Sequence, residues 1–381
     1  MHFNLTSEQA RFEQVARDFA RNAVAPLAQA IDERDEFPAA LAREAGGLGL
    51  MGVTVPRQWG GAGLDTVSYV LALEQVARAS ATMAVILVVN NSLVVEPLAR
   101  FGSDDQKARW LAPLARGEQV GAFALSEEEA GTDAANQQTV AVRADRGFRL
   151  NGRKTWVTCA SHASVIIVFA TLADERRPDG AVSAFLVPAD SPGLSRGARS
   201  ESMGVRGLGG MDIELRDVHV APDQMLGAAG EGFELARWAF EGARIAIAAQ
   251  AVGIGEVAFD ESRRHAKQRK TFGKPIASYE AIQFMLADSA TEIDAARVLT
   301  LRAAAARDAR DRCGVEAAMA KLYASEAAAR ATDRAMQILA SAGYRRGSLV
   351  ERLYRDVRAS EMYPGTSEVQ RMIVSGAVLR K

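Results

Sequence analysis

The run Phe148-Arg149-Leu150-Asn151-Gly152-Arg153-Lys154-Thr155-Trp156-Val157 begins by alternating apolar and polar side chains, inside a chain whose flanks repeat at three and four. Period two belongs to a half-buried strand, and Asn151-Gly152 reads as the turn of a hairpin. Working outward, TVAVRA at 139–144, SVIIVFA at 164–170, VSAFLVP at 182–188 and DIELRDVHV at 212–220 read the same way. A compact, barrel-like β domain is therefore expected over residues 121–228. Residues 6–116 read as helical, with Ser7 able to cap, Phe12, Val15 and Phe19 on one face, and a second run at 67–78. After Gly230-Glu231-Gly232 the helical period returns at 233–269, 278–311, 315–342 and 366–379, with alanine-rich interiors suited to close helix packing. The predicted class is α+β, mainly α: an N-terminal helical domain (1–120), the middle β domain (121–228) and a C-terminal helical bundle (229–381). Strands and helices are segregated, so this is not an alternating βαβ layout.

Composition narrows the function. With 381 residues, 48% hydrophobic and 24% charged, the chain can bury a large core. A formal net charge of -1 gives no long-range field for nucleic acid or anionic membranes, so any anion site must be local. Cys159 and Cys313 make no disulfide framework, and His2, His162, His219 and His265 have no metal-ligand spacing. The polar start MHFNLTSEQARFEQ does not read as a leader, VLRK is not a terminal signal, and the apolar stretch 83–89 is broken by Asn90-Asn91. These features predict a cytoplasmic protein in a reducing compartment, with no membrane and no nucleic-acid partner.

Gly47-Leu48-Gly49-Leu50-Met51-Gly52 has the spacing of a dinucleotide fingerprint, but it follows an alanine-rich helical stretch where the fingerprint needs a strand. Nicotinamide binding is rejected on that ground. Four other segments could carry chemistry or simply turn the chain: ALSEEEAGTD at 124–133, MGVRGLGG at 203–210, RKTFGK at 269–274 and YPGTSEVQR at 363–371. The third concentrates positive charge at a helix end, where it would hold a phosphate or complement the helix dipole. In the fourth, Pro364-Gly365 makes a turn and Thr366 or Ser367 can cap the last helix.

Taken in order, these segments resemble the acyl-CoA dehydrogenase family of flavoproteins over essentially the whole chain. ALSEEEAGTDAAN is similar to the family's first signature, and QILASAGYRRGSLVERLYRDVR with PGTSEVQR is similar to its second. NNSL at 90–93 and RIAIAAQAVGIGE at 244–256 resemble the short-chain members. The resemblance implies FAD between the β domain and the bundle, with a neighbouring subunit completing the site in a homotetramer. It implies flavin contacts from Phe123, Leu125, Ser126, Thr132, Trp156 and Thr158. Around the pyrophosphate and adenosine it implies Arg269, Thr271, Phe272, Gln337, Thr366 and Glu368. For the acyl-CoA thioester it implies Thr132, Glu241, Arg244, Tyr363 and Gly365. Arginine is a permanent fork donor for phosphate, and a tryptophan against the flavin excludes water.

The chain departs from its family at the proton acceptor. The resemblance places a glutamate either second in Tyr-Glu-Gly-Thr or just before the arginine matching Arg244; here those residues are Pro364 and Ala243. Proline also lacks the N–H that would donate to the thioester carbonyl. Glu241 is the nearest alternative acid, yet two residues along a helix turn it about 200° away from position 243. The expected activity is FAD-dependent oxidation across the α,β bond of a short or branched acyl-CoA, with electrons exchanged with an electron-transferring flavoprotein. The alternatives are base-less chemistry on the same scaffold, such as elimination of a β-sulfinate or enoyl-CoA reduction, or a non-catalytic partner subunit.

Overall fold

The computed structural model describes residues 4–174 and 177–379. The first three residues and the last two, included above in the reading for a leader or terminal signal, lie outside the described residues. Eight helices come first: Ser7–Phe19 (α1), Ala25–Arg34 (α2), Ala39–Gly47 (α3), Thr66–Ala79 (α4), Ala81–Val88 (α5), Glu96–Phe101 (α6), Asp104–Gln106 (α7) and Ala112–Ala115 (α8). Thr6 closes a capping box with Gln9, and Asp65 and Ser80 cap α4 and α5. Asn90 and Asn91 interrupt the apolar run but do not end the helical conformation. They sit in a wide turn at Val89–Val95 that joins α5 to α6, where their side-chain amides donate to the carbonyls of Met51, Leu114, Leu50 and Leu87. Most of the resulting helical stretch Ala81–Phe101 is buried inside the protein.

The strands are Val120–Ala124 (β1), Val140–Ala144 (β2), Gly147–Val157 (β3), Ala163–Asp174 (β4), Arg177–Pro188 (β5), Leu194–Arg199 (β6), Met211–Val220 (β7) and Met225–Leu226 (β8). Their order is β6-β7-β3-β2-β4-β5-β8, with β1 parallel to β4. The expectation of a barrel is thereby corrected. The path ends at β6 and β8, which do not pair, and one edge of β4 is divided between β1 at residues 163–168 and β2 at only three residues, 171–173. The sheet forks there and stays open.

The Asn151-Gly152 hairpin is also corrected, because both residues lie inside β3. The turn is Asp145-Arg146, flanked by the pair Ala144 and Gly147. Gly152 instead marks a register shift against β7, at φ +154, where a Cβ would fall 2.4 Å from Thr139 Oγ1.

The alternation of β4 carries the assembly. Val165, Ile167 and Phe169 face the helical core, while Ile166, Val168 and Ala170 face the core within the sheet. The C-terminal helices are Gly232–Gln268 (α9), Glu280–Ala309 (α10), Gly314–Leu339 (α11), Ser341–Tyr344 (α12), Leu349–Ser360 (α13) and Ser367–Leu379 (α14), with a small hairpin of Lys270–Thr271 (β9) and Lys274–Pro275 (β10) after α9. Helix α9 is the axis of the molecule. Its Gly253 lies where a Cβ would come within 2.5 Å of the Glu74 carbonyl of α4, so the small residues read from the sequence do permit a close crossing.

Candidate active site

The first signature leaves β1 and turns over a buried charge. Lys154, wholly buried on β3, donates to Glu127 Oε1 at 2.7 Å, to Gln137 Oε1 at 3.0 Å and to the Leu125 carbonyl at 3.1 Å. Glu127 also accepts the N–H groups of Gln138 at 2.6 Å and Thr139 at 3.0 Å, so its carboxylate is fully used in shaping the loop. Burial pushes the Lys154 ammonium down to about 8, with Glu127 opposing the shift. Thr155 N–H donates to Ser126 carbonyl at 2.9 Å, which sets residues 155–158 beside 125–126. Trp156 stands out from this ledge, 63% exposed at φ +55, with Thr158 half-buried beyond it. Thr132 is exposed at the far end of the loop.

Phe123 connects the ledge to the bundle. Its ring lies 4.7 Å from that of Phe169 and 5.8 Å from that of Phe240 on α9. One turn along α9, Arg244 lies 5.8 Å over Phe240 and donates from Nε to the Pro364 carbonyl at 3.3 Å. Phe123, Phe240, Arg244 and Pro364 thus form one continuous path from the β domain to the 363–366 turn. Burial lowers the Arg244 guanidinium to about 10, and no carboxylate pairs with it among the described ion pairs. Tyr363 donates to Gln250 Oε1 at 3.4 Å, and burial raises its phenol above the ordinary range. Thr366 Oγ1 accepts from Val369 N–H at 3.4 Å, and the exposed Glu368 carboxyl is lowered by backbone N–H and Thr366 at the start of α14.

Ala243 is fully buried. Glu241 points elsewhere: Oε1 accepts from Arg312 Nε at 2.8 Å and Oε2 from Cys313 N–H at 2.8 Å, so it anchors the α10–α11 connection. Arg237, Arg244, Arg302, Arg310 and Arg312 line a cavity of about 970 Å³ beside it, together with Met319 and Met372. Arg302 of α10 and Arg310 and Arg312 of the α10–α11 connection were not singled out in the sequence; only the recurrence of arginine over 302–312 hinted at them. Lys154, Lys321 and Gln370 were missed too, because a buried polar side chain looks like any other until its partners are seen.

Arg269, Thr271 and Phe272 form a separate group at the β9–β10 hairpin. Phe272 is 93% exposed at φ +49, and Tyr279 OH donates to the Thr271 carbonyl at 3.1 Å. Gln337 is exposed near the end of α11. No hydrogen bond among the described residues joins these to the ledge. A bound flavin nucleotide fits the unmatched groups left by the chain: an exposed tryptophan and phenylalanine, Arg269 without an ion pair among the described residues, and buried Ser367 Oγ and Gln370 Oε1 atoms with no partner.

Comparison with known proteins completes the assignment. Residues 6–118, 122–218 and 230–379 match the acyl-CoA dehydrogenase N-terminal, middle and C-terminal domains. The human short-chain specific acyl-CoA dehydrogenase, mitochondrial, is 42% identical over 96% of this chain and 89% of its own length, and an acyl-CoA dehydrogenase of Bacillus subtilis (strain 168) is 41% identical over 99% of each. Butyryl-CoA dehydrogenase from Megasphaera elsdenii superposes with a TM-score of 0.96 at 38% identity over the whole of both chains. A chain from the electron transferring flavoprotein study of Acidaminococcus fermentans superposes at 0.97 with 37% identity over both whole chains. An acyl-CoA dehydrogenase complexed with FAD from Bacillus anthracis superposes at 0.92 with 32% identity over 99% of this chain and 67% of that one. The chain belongs to the acyl-CoA dehydrogenase family. It is an FAD-dependent oxidoreductase of that type.

The mitochondrial short-chain relatives overturn the cytoplasmic expectation. Near-neutral charge and unpaired cysteines suit any reducing compartment, so they carried no information about which one.

Proposed function

We propose that this chain binds FAD and a short or branched acyl-CoA at the junction of the β domain and the bundle, with the domain division at 1–120, 121–228 and 229–381. The path Phe123–Phe240–Arg244–Pro364 carries this reading, because it brings two separate signatures onto one site. FAD supplies the two-electron acceptor. Phe123, Leu125, Ser126, Thr132, Trp156 and Thr158 hold and shield the flavin ring; Arg269, Thr271, Phe272, Gln337, Thr366 and Glu368 hold the pyrophosphate and adenosine. Arg269 shares no hydrogen bond with the ledge among the described residues, and this supports a second subunit completing each site in a homotetramer. Thr132, Arg244, Tyr363 and Gly365 orient the thioester, and the arginine-lined cavity suits the phosphates of CoA. Glu241 acts there through Arg312, which it positions. An electron-transferring flavoprotein is the partner.

A second reading has a specific observation behind it. Pro364 and Ala243 offer no carboxylate, Glu241 is fully engaged, and Glu361 is paired with Arg358. The scaffold would then serve a reaction that needs no α-proton acceptor, such as loss of a β-sulfinate. Anaerobic titration of the flavin-loaded protein with butyryl-CoA and branched analogues separates the two. Bleaching of the flavin supports dehydrogenation. Bleaching in Pro364→Glu alone means that flavin and thioester are in register and the natural substrate is different. No spectral response from either protein overturns the site.

A further inference from the structure

The turn joining α13 to α14 is gripped by its carbonyls. Lys321 on α11 donates from Nζ to the Glu361 and Gly365 carbonyls, both at 3.0 Å. Gln370 donates from Nε2 to those of Pro364, Gly365 and Thr366 at 3.4, 2.8 and 3.3 Å, and Arg244 takes the Pro364 carbonyl from the other side. Lys321 is wholly buried and pairs with no carboxylate among the described ion pairs. A buried ammonium without a counter-ion is costly, so carbonyl contacts must hold it. Capping α13 would need only the Glu361 carbonyl; Lys321 instead spans the turn from residue 361 to 365.

The N–H side of the same turn is different. Those of Gly365 and Thr366 find no acceptor among the described residues, and Pro364 has none to offer. With the carbonyls drawn to α11 and α14, these N–H groups are what the turn can give a ligand. We propose that Lys321 is a positioning residue for the acyl-CoA reaction: it fixes the 361–365 turn so that the Gly365 N–H donates to the thioester carbonyl, in the role that residue 364 cannot fill. This rests on the acyl-CoA reading above.

The charged groups facing Lys321 are Arg244 from α9, Glu361 at the end of α13, Glu326 on α11 and Glu368 on α14. Burial, then Arg244, lowers its ammonium to about 8, so the grip weakens as the pH rises through that value.

The test uses flavin-loaded protein and two probes, crotonyl-CoA and the S-crotyl thioether of CoA, which lacks only the carbonyl. Dissociation constants come from perturbation of the flavin spectrum. The natural chain should prefer the thioester by roughly tenfold, about the worth of one hydrogen bond. Lys321→Met should reduce that preference to twofold or less, and Lys321→Gln should restore part of it. A structural lysine would weaken both probes equally, and an unchanged preference in Lys321→Met overturns the proposal. Should Lys321→Met fail to fold, the natural chain decides: a preference that falls between pH 7 and 9 supports the role, and a flat profile overturns it. If neither probe perturbs the flavin, the acyl-CoA reading fails first and takes this one with it.

Discussion

At the residue scale the decisive features are exchanges of one side chain for another. Pro364 offers neither a carboxylate nor an N–H, and the backbone around it is held by Arg244, Lys321 and Gln370. On the proposed reading the site keeps its frame without a carboxylate at this position. Lys154 makes a separate prediction. Its ammonium and the Glu127 carboxylate share an interior where removing one partner leaves the other charge unpaired, which costs about 3–5 kcal/mol. Lys154→Met should lose about that much in urea unfolding and should release FAD more readily, because the Leu125 carbonyl loses the nearer of its two donors and keeps only Gln137 Nε2 at 3.3 Å. Lys154→Met with Glu127→Gln removes both charges and keeps an acceptor for the Thr139 N–H. We expect the double variant to recover about 2 kcal/mol; equal losses would show that the loop depends on packing alone.

At the element scale, period gave the long helices and the strands β2 to β5 and β7 but not β1, β6 or β8, and turn chemistry misled. Asn-Gly is a strong hairpin signal, yet here it lies inside β3, where contact with Thr139 demands glycine. The true turn, Asp145-Arg146, carries no comparable signal. Helix α13 lies outside the helical runs read from the sequence although Val350, Leu353 and Val357 recur on its buried face, because the polar Arg352 and Asp356 are buried among them and interrupt the stripe. The end of α11 offers a test of local strain. Ala340 lies at φ +50, ψ −129, a region that glycine enters freely and alanine does not. Ala340→Gly should stabilise the protein by about 1 kcal/mol and raise its melting temperature by a few degrees at most. A fall in melting temperature would mean that the alanine methyl is needed for packing.

At the scale of the whole molecule, the order of helices, strands and helices was legible because burial imposes periodicity along the chain, whereas the single core shared by the N- and C-terminal helices was not. The convergence of the site was not, because Phe123, Phe240, Arg244 and Pro364 come from segments more than a hundred residues apart at the extremes and no local pattern links them. The open sheet escaped for the same reason: strand pairing at β4 is decided by tertiary contacts. The union of the β domain with the bundle also depends on charge. Asp356 on α13 is buried and accepts the Val205 N–H at 2.6 Å, tying the 203–210 loop to the helices, while Arg355 pairs with Asp32 of α2 and donates to the Met203 carbonyl. Burial raises the Asp356 carboxyl to about 6, against the pull of Val205 and Arg352. The folded state thus favours the protonated acid. Its contribution is complete below about pH 4 and is lost as the pH rises to about 6, a change of at most ~3 kcal/mol. Asp356→Asn keeps the acceptor for Val205 and removes the titration. Relative to the natural chain, the variant should gain stability by about 2 kcal/mol on going from pH 4.5 to pH 7.5, read as the difference in urea midpoints. The same difference at both pH values would mean that the arginines around Asp356 already hold it ionised, and that the joint between the domains does not respond to acid.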